Sequence, residues 1–172
     1  LMVSNAYIGI HAENSLGIQM DRIRVGYCVT NAIYAGANAR VTMTGVFLEQ
    51  NLSAGLQTQT GAVAKVFNSL IRGNALACLF FRGGDVEIEN SILEAAGTQG
   101  YVYYLGSGAS FASDYNNIRV SDGANVAGGD SRQPDRFMLE WQNSTLRAND
   151  VHSSGYEAKF NDAAALDFHL KS

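Results

Sequence analysis

Aliphatic residues recur along this chain at a constant interval. Ile10, Ile33, Leu56, Leu79 and Val102 stand 23 residues apart, and a fixed period of this length marks a stack of repeated units. The positions two before and two after each of them include Ile8 and Ala12, Ala54 and Thr58, and Ala77 and Phe81. This is the period-2 pattern of a short strand with one face turned inward. A second strand begins half a unit later, at Ile18, Val41, Ala64, Val86 and Phe111. A third motif follows it and ends on Ile23, Val46, Leu70, Ile92 and Ile118.

Two or three strands per unit, joined by turns too short for helices, predict the coils of a β-solenoid. A leucine-rich repeat has a similar period but needs an L-x-x-L-x-L frame, which no unit carries. The expected fold is all-β, a parallel β-helix of about five coils over residues 1–120. Residues 121–172 form an irregular closing segment of the same domain, folded back along the coils. Within the third motif, Asp21, Thr44, Asn68, Asn90 and Asn116 read as a turn ladder. Asn and Asp tolerate the left-handed backbone of a tight corner, and stacked side chains can bond one another. A metal or glycan role for the same column is the alternative.

Composition agrees with this picture. The 172 residues are 47% hydrophobic with 18 Gly, one Pro and 16% charged residues, below the usual quarter for a soluble globular chain. A net charge of −4 and a pI near 5.3 argue against a nucleic-acid partner. No apolar run approaches the ~20 residues of a membrane helix, so membrane insertion is not expected. Cys28 and Cys78 are too few for a disulfide framework and read as buried thiols.

The repeated N-S/N-x-I corner at this period resembles the bacterial right-handed parallel β-helix repeat proteins, the pectate-lyase-like superfamily. A second likeness lies in the tail. Ser113-Asp114-Tyr115-Asn116, Trp141, Asp150-Val151-His152-Ser153, Phe160 and Asp167-Phe168-His169-Leu170 resemble the closing segment of large secreted β-helix proteins. In those proteins the segment reads S-D-Y-N, W, D-x-x-S, D-P-x-F and D-F-H-L. Here Glu157-Ala158-Lys159-Phe160 stands in place of D-P-x-F. The resemblance implies a right-handed coil and a secreted or cell-surface location, in adhesin-like or polysaccharide-active proteins.

Strand alternation sorts the candidate chemistry. The first strand of each unit is expected to present Gly9, Ala32, Gly55, Cys78 and Tyr101 outward, with His11, Tyr34, Gln57, Phe80 and Tyr103 beside them. Neither column holds an acid or a strong base, whereas lyases and hydrolases on this fold need carboxylates, with an Arg or Lys base in lyases. Tyr34, Phe80, Tyr101 and Tyr103 instead suggest an aromatic strip for a glycan or protein. The competing reading is that the tail, with Phe137, Met138, Trp141 and Phe160, covers the strip as ordinary core. Glu87 and Glu89 read as a solvated strand face, or with Asp114 as a weak Ca²⁺ site. Asp150, His152 and Ser153 lack the nucleophile elbow of a hydrolase triad.

The expected function is a non-catalytic spacer, adhesin stalk or filament subunit, binding polysaccharide or a surface protein and stacking on further β-helix coils of the same or another chain. The alternative is a fragment of a polysaccharide lyase or glycoside hydrolase with its acids elsewhere.

Overall fold

A computed structural model describes residues 1–130, 132–143, 150–155, 160–162 and 167–170. The chain winds through three strands per turn. The first turn comprises β1 (Met2–Ser4), β2 (Ile10–Ala12) and β3 (Ile18–Asp21), and the second β4 (Arg24–Gly26), β5 (Ile33–Ala35) and β6 (Arg40–Thr44). Next come β7 (Phe47–Glu49), β8 (Ala54–Thr58) and β9 (Val63–Phe67), then β10 (Leu70–Arg72), β11 (Ala77–Phe81) and β12 (Gly84–Glu89). The fifth turn is β13 (Ile92–Ala96), β14 (Tyr101–Leu105) and β15 (Ala109–Asp114), and the sixth has β16 (Asn117–Ser121) and β17 (Asn125–Gly129). Corresponding strands pair in parallel and build three stacked sheets. This is a parallel β-solenoid of about six turns. The aliphatic series that predicts five starts at Ile10, stops at Val102 and misses β17, whose Ala127, Gly128 and Gly129 carry no large apolar group.

Inward columns make the core. On the first sheet Val25, Leu48, Ile71, Leu93 and Ile118 lie directly over one another and are fully buried. On the second, Ile10, Ile33, Leu56 and Leu79 stack in register, as the 23-residue period predicts. On the third, Met43, Val66 and Ile88 do the same. Neighbouring strands sit about 4.8 Å apart, so each methyl group meets its counterparts above and below.

Corners hold the turns in register. Between the third and first sheets the left-handed residues are Arg22, Gly45, Asn68, Asn90 and Tyr115, with φ from 48° to 62°. Two members of the expected turn ladder, Asn68 and Asn90, occupy this column. Asp21 and Thr44 are the last strand residues before it, and Asn116 follows it with its side chain buried. The position after the corner forms a ladder of its own. Ser69 Oγ accepts from the Val46 N–H, Ser91 Oγ from the Ser69 N–H, and Asn116 Oδ1 from the Ser91 N–H, at 2.9–3.2 Å. At the next corner Asn51 and Asn74 act alike: Asn51 Oδ1 accepts from the Cys28 N–H and Asn74 Oδ1 from the Asn51 N–H. These amides satisfy backbone donors that the bend takes out of the strand ladders.

The C-terminal end is closed. β18 (Arg132–Asp135) runs antiparallel to β17 and covers the free edge of the second sheet. A short helix, α1 (Met138–Gln142), follows, its first turn held by the Glu140 carboxylate accepting from the Arg136 and Phe137 N–H groups. Trp141 points from α1 into the open end of the core, is fully buried, and lies against Tyr103 and Phe111. The helix therefore closes the end of the stack, with Phe137 left exposed. A last hairpin pairs β19 (Phe160–Asp162) with β20 (Asp167–Leu170).

Candidate functional site

The outward face of the second sheet carries the aromatic residues, in a register that differs from expectation at one turn. Phe80 pairs with Tyr104 and Leu79 with Tyr103, a step of 24 residues. A one-residue slip exchanges the two faces of a strand. Tyr103 accordingly points inward: it is fully buried, and its hydroxyl lies 2.9 Å from Ser113 Oγ. It belongs to the core and not to a binding strip. Burial pushes its pKa well above the usual range, and the Asp150 carboxylate adds to this. Tyr104 takes the outward position.

A second correction concerns the small residues. A Cβ on Gly55 would stand 2.5 Å from Ile71 Cγ2, and one on Gly9 would collide with Val25. Ala32 and Cys78 are buried in the same core. Two successive residues of each strand are thus buried here, and on the fifth turn Val102 takes the place of Cys78 in the same core. Cys78 donates to the Ile71 and Glu94 carbonyls, and burial, aided by Glu94, pushes its thiol pKa far up. The outward residue before this pair is Ala54, Ala77 or Tyr101.

The resulting strip falls into two clusters. His11 and Tyr34 meet edge-on at 4.8 Å. Gln57 then interrupts, holding the Asn31 amide at 3.0 Å. Beyond it Phe80 meets Tyr104 edge-on at 4.8 Å, and Tyr101 meets Tyr104 at 5.3 Å. The Arg82 guanidinium sits 4.9 Å from the Phe80 ring centre, a cation–π contact. Tyr104 donates to Asp130 Oδ1 at 2.8 Å, which with burial raises its pKa. Phe80, Tyr104, Leu76, Arg82, Gln59 and Asp130 line an open groove of about 550 Å³. Phe80 is itself buried beneath Arg82 and against Tyr104, so the partly exposed ring is that of Tyr104. A ring flanked by an amide, a guanidinium and a carboxylate suits a polar ligand with an apolar face.

The acidic residues do not converge on one point. Glu87 and Glu89 share the outward face of β12, as expected, but Glu87 is paired with Lys65 at 2.5 Å. Asp114 accepts from the His152 and Tyr115 N–H groups, and its Oδ2 lies 2.7 Å from His152 Nδ1. Burial alone would raise its pKa, yet these bonds hold the carboxyl below the usual range. Among the described residues no three His, Cys, Asp or Glu side chains form a set able to hold a metal ion. The expected Ca²⁺ grouping of Glu87, Glu89 and Asp114 is therefore not assembled.

The tail motifs converge on the C-terminal cap. Asp150 is fully buried and accepts from Trp141 Nε1 (2.8 Å), Ser113 Oγ (2.8 Å) and Ser153 Oγ (2.7 Å). Asn116 Nδ2 adds a longer bond at 3.3 Å. Ser153 Oγ also accepts from the Asn116 N–H, extending the Ser69–Ser91–Asn116 ladder onto the cap. His152 turns away from Asp150, stacking on Tyr115 at 4.8 Å. Asp150, His152 and Ser153 thus form parts of a seal and not a relay. Residues 156–159, where the tail departs from D-P-x-F, lie outside the described residues, as does the Phe160 side chain.

The first sheet holds a charged column that strand alternation on the second could not suggest. Glu49, Arg72, Glu94 and Arg119 occupy equivalent outward positions on four successive turns. Glu49 is buried and paired with both Arg24 and Arg72. Arg119 approaches Glu94 at 3.7 Å, and Arg72, Glu94 and Arg119 border a groove of about 380 Å³.

No protein-family model, curated protein or solved structure matches the chain.

Proposed function

We propose that this chain is a non-catalytic binding and spacing module of a larger secreted or cell-surface protein, and that the groove over Phe80 and Tyr104 takes a glycan. One observation carries the reading. On an outward sheet face, rings from neighbouring turns pack edge-on beside a guanidinium and a carboxylate. Sugars present both an apolar ring face and hydroxyls to such a surface. The solenoid supplies rigidity, because each turn fixes the next. The likeness of the tail to the closing segment of bacterial β-helix proteins supports the extracellular location, and surface adhesins are the parent class it favours.

NMR titration of the chain with a panel of neutral and acidic oligosaccharides tests this. Shifts confined to Phe80, Arg82, Tyr104 and Asp130, lost in Tyr104→Ala, are expected. Saturating oligosaccharide with no shift at these residues overturns the reading.

A second reading, a fragment of a polysaccharide lyase or glycoside hydrolase, draws on the groove bordered by Arg72, Glu94 and Arg119. Guanidinium and carboxylate groups on one outward face are what such chemistry uses. Incubation with pectin, alginate and hyaluronan separates the two readings. Unsaturated products or new reducing ends, abolished by Glu94→Gln, would establish the second.

A further inference from the structure

The two ends of the stack are unlike. At the C-terminal end β18, α1 and residues 150–155 cover the last turn. At the opposite end β1, β2 and β3 each stand outermost in their sheets, with no strand beyond them among the described residues. The apolar columns run out to this edge. Val3, Ile10 and Ile18 are only partly buried, whereas Val25, Ile33 and Val41 one turn further in are sealed. Leu1 and Leu16 are 84% and 79% exposed there, and Tyr7 70%.

We propose that this face docks one further β-solenoid coil, stacked by translation in the register of the coils already present. Two arguments select this occupant. The first is continuity, since the same face-to-face contact is made between every pair of successive turns. Met2 sits on Arg24 as Arg24 sits on Phe47, and Ile10 on Ile33 as Ile33 on Leu56. A coil with apolar residues over Val3, Ile10 and Ile18 would pair three strand edges and complete three columns at once.

The second argument is symmetry. A second copy brought head-to-head by a two-fold axis runs its strands antiparallel and aligns with at most one of the three edges. Head-to-tail stacking of copies needs a free C-terminal face, and the Trp141–Asp150 cap occupies it. Only a coil of the same hand and direction matches all three edges.

The test is to extend the full chain. A duplicate of residues 24–46 is joined to Met2 in place of Leu1, which puts its strands in register with β1, β2 and β3. The control carries the same residues in scrambled order. The proposal expects the melting midpoint to rise by about 5 °C or more over the control. Amide exchange in β1–β3 should slow by about 100-fold toward that of interior strands. Equal midpoints and exchange for the two extensions would overturn it. A stable dimer of the unextended chain by sedimentation, with β1–β3 amides already protected, would also overturn it, by assigning the face to a second copy.

Discussion

Trp141 Nε1 donates to Asp150 Oδ2 at 2.8 Å inside the cap, joining the only described helix to the residue on which the closing segment converges. The carboxylate takes four donors in all, from Trp141, Ser113, Ser153 and Asn116. A buried charge so surrounded is compensated, and removing it leaves several donors without partners. Asp150→Ala is expected to destabilise the chain by about 3 kcal/mol, and Trp141→Phe by about 1–2 kcal/mol. Urea unfolding followed by circular dichroism checks both, and the double variant should lose less than the sum because the two share one bond.

Tyr103 and Tyr104 are neighbours in sequence with opposite roles. Tyr103→Ala opens a cavity beside Phe111 and Trp141 and should cost about 3–5 kcal/mol. Tyr104→Ala, on the outer face, should cost about 1 kcal/mol or less while abolishing any oligosaccharide response in the groove. Thermal melts of the pair, together with the titration described above, test the register directly.

His152 sets the titration of Asp114. Its hydrogen bonds depress the folded-state pKa of this carboxyl below the ordinary value of 3.8. The stabilising contribution is therefore present in full above the unfolded pKa and is lost as pH falls through the lower folded value. In His152→Ala the Asp114 carboxyl should titrate at higher pH, with the cap loosening correspondingly earlier on acidification. Carboxyl ¹³C NMR between pH 2 and pH 6 reads this out, and an unchanged Asp114 midpoint would contradict it.

Glu49 is buried between Arg24 and Arg72. Glu49→Ala leaves two half-buried guanidinium groups facing each other across one turn. The expected cost is about 3 kcal/mol, largely recovered by changing all three residues to apolar ones of similar size. Equilibrium unfolding of the single and triple variants decides it.

Gly55 lets the second sheet approach Ile71 too closely for a side chain. Gly55→Ala places a Cβ 2.5 Å from Ile71 Cγ2 and 2.8 Å from the Cys78 carbonyl oxygen. Overpacking of this kind should cost about 1–3 kcal/mol, and Ile71→Ala should restore part of it.

The solenoid is legible because buried strands repeat their chemistry: the column through Ile10, Ile33, Leu56 and Leu79 is aliphatic over four successive turns, before Tyr103 and Ala127 continue it. What escaped was anything a shift of one residue reverses. The fifth turn inserts an extra residue before Tyr103, and hydrophobicity alone does not distinguish Val102, Tyr103 and Tyr104 as core or surface. Corner chemistry misled in the same way. Asn116 looks like Asn90, yet one is a buried acceptor for the Ser91 N–H and the other a left-handed turn residue. The cap motif was visible as residue types, but the meeting of Ser113, Trp141, Asp150 and Ser153 depends on long-range folding that no spacing encodes. Tyr34, Phe80 and Tyr101 lie on the outward side of the second sheet, with Phe80 buried in the aromatic cluster there. Strand alternation does not point to Arg82 and Asp130, which stand just beyond the strand ends.

Hydrogen bonds between successive turns point roughly along the stacking direction, whereas the covalent chain winds across it. A pull along the stack is therefore carried between each two turns by the three strand pairs together, with successive interfaces in series. Sideways bending also works against all three sheets together. Under sustained tension such a stack should yield first at its less protected end, where Val3, Ile10 and Ile18 are only partly buried, and lose one turn per step.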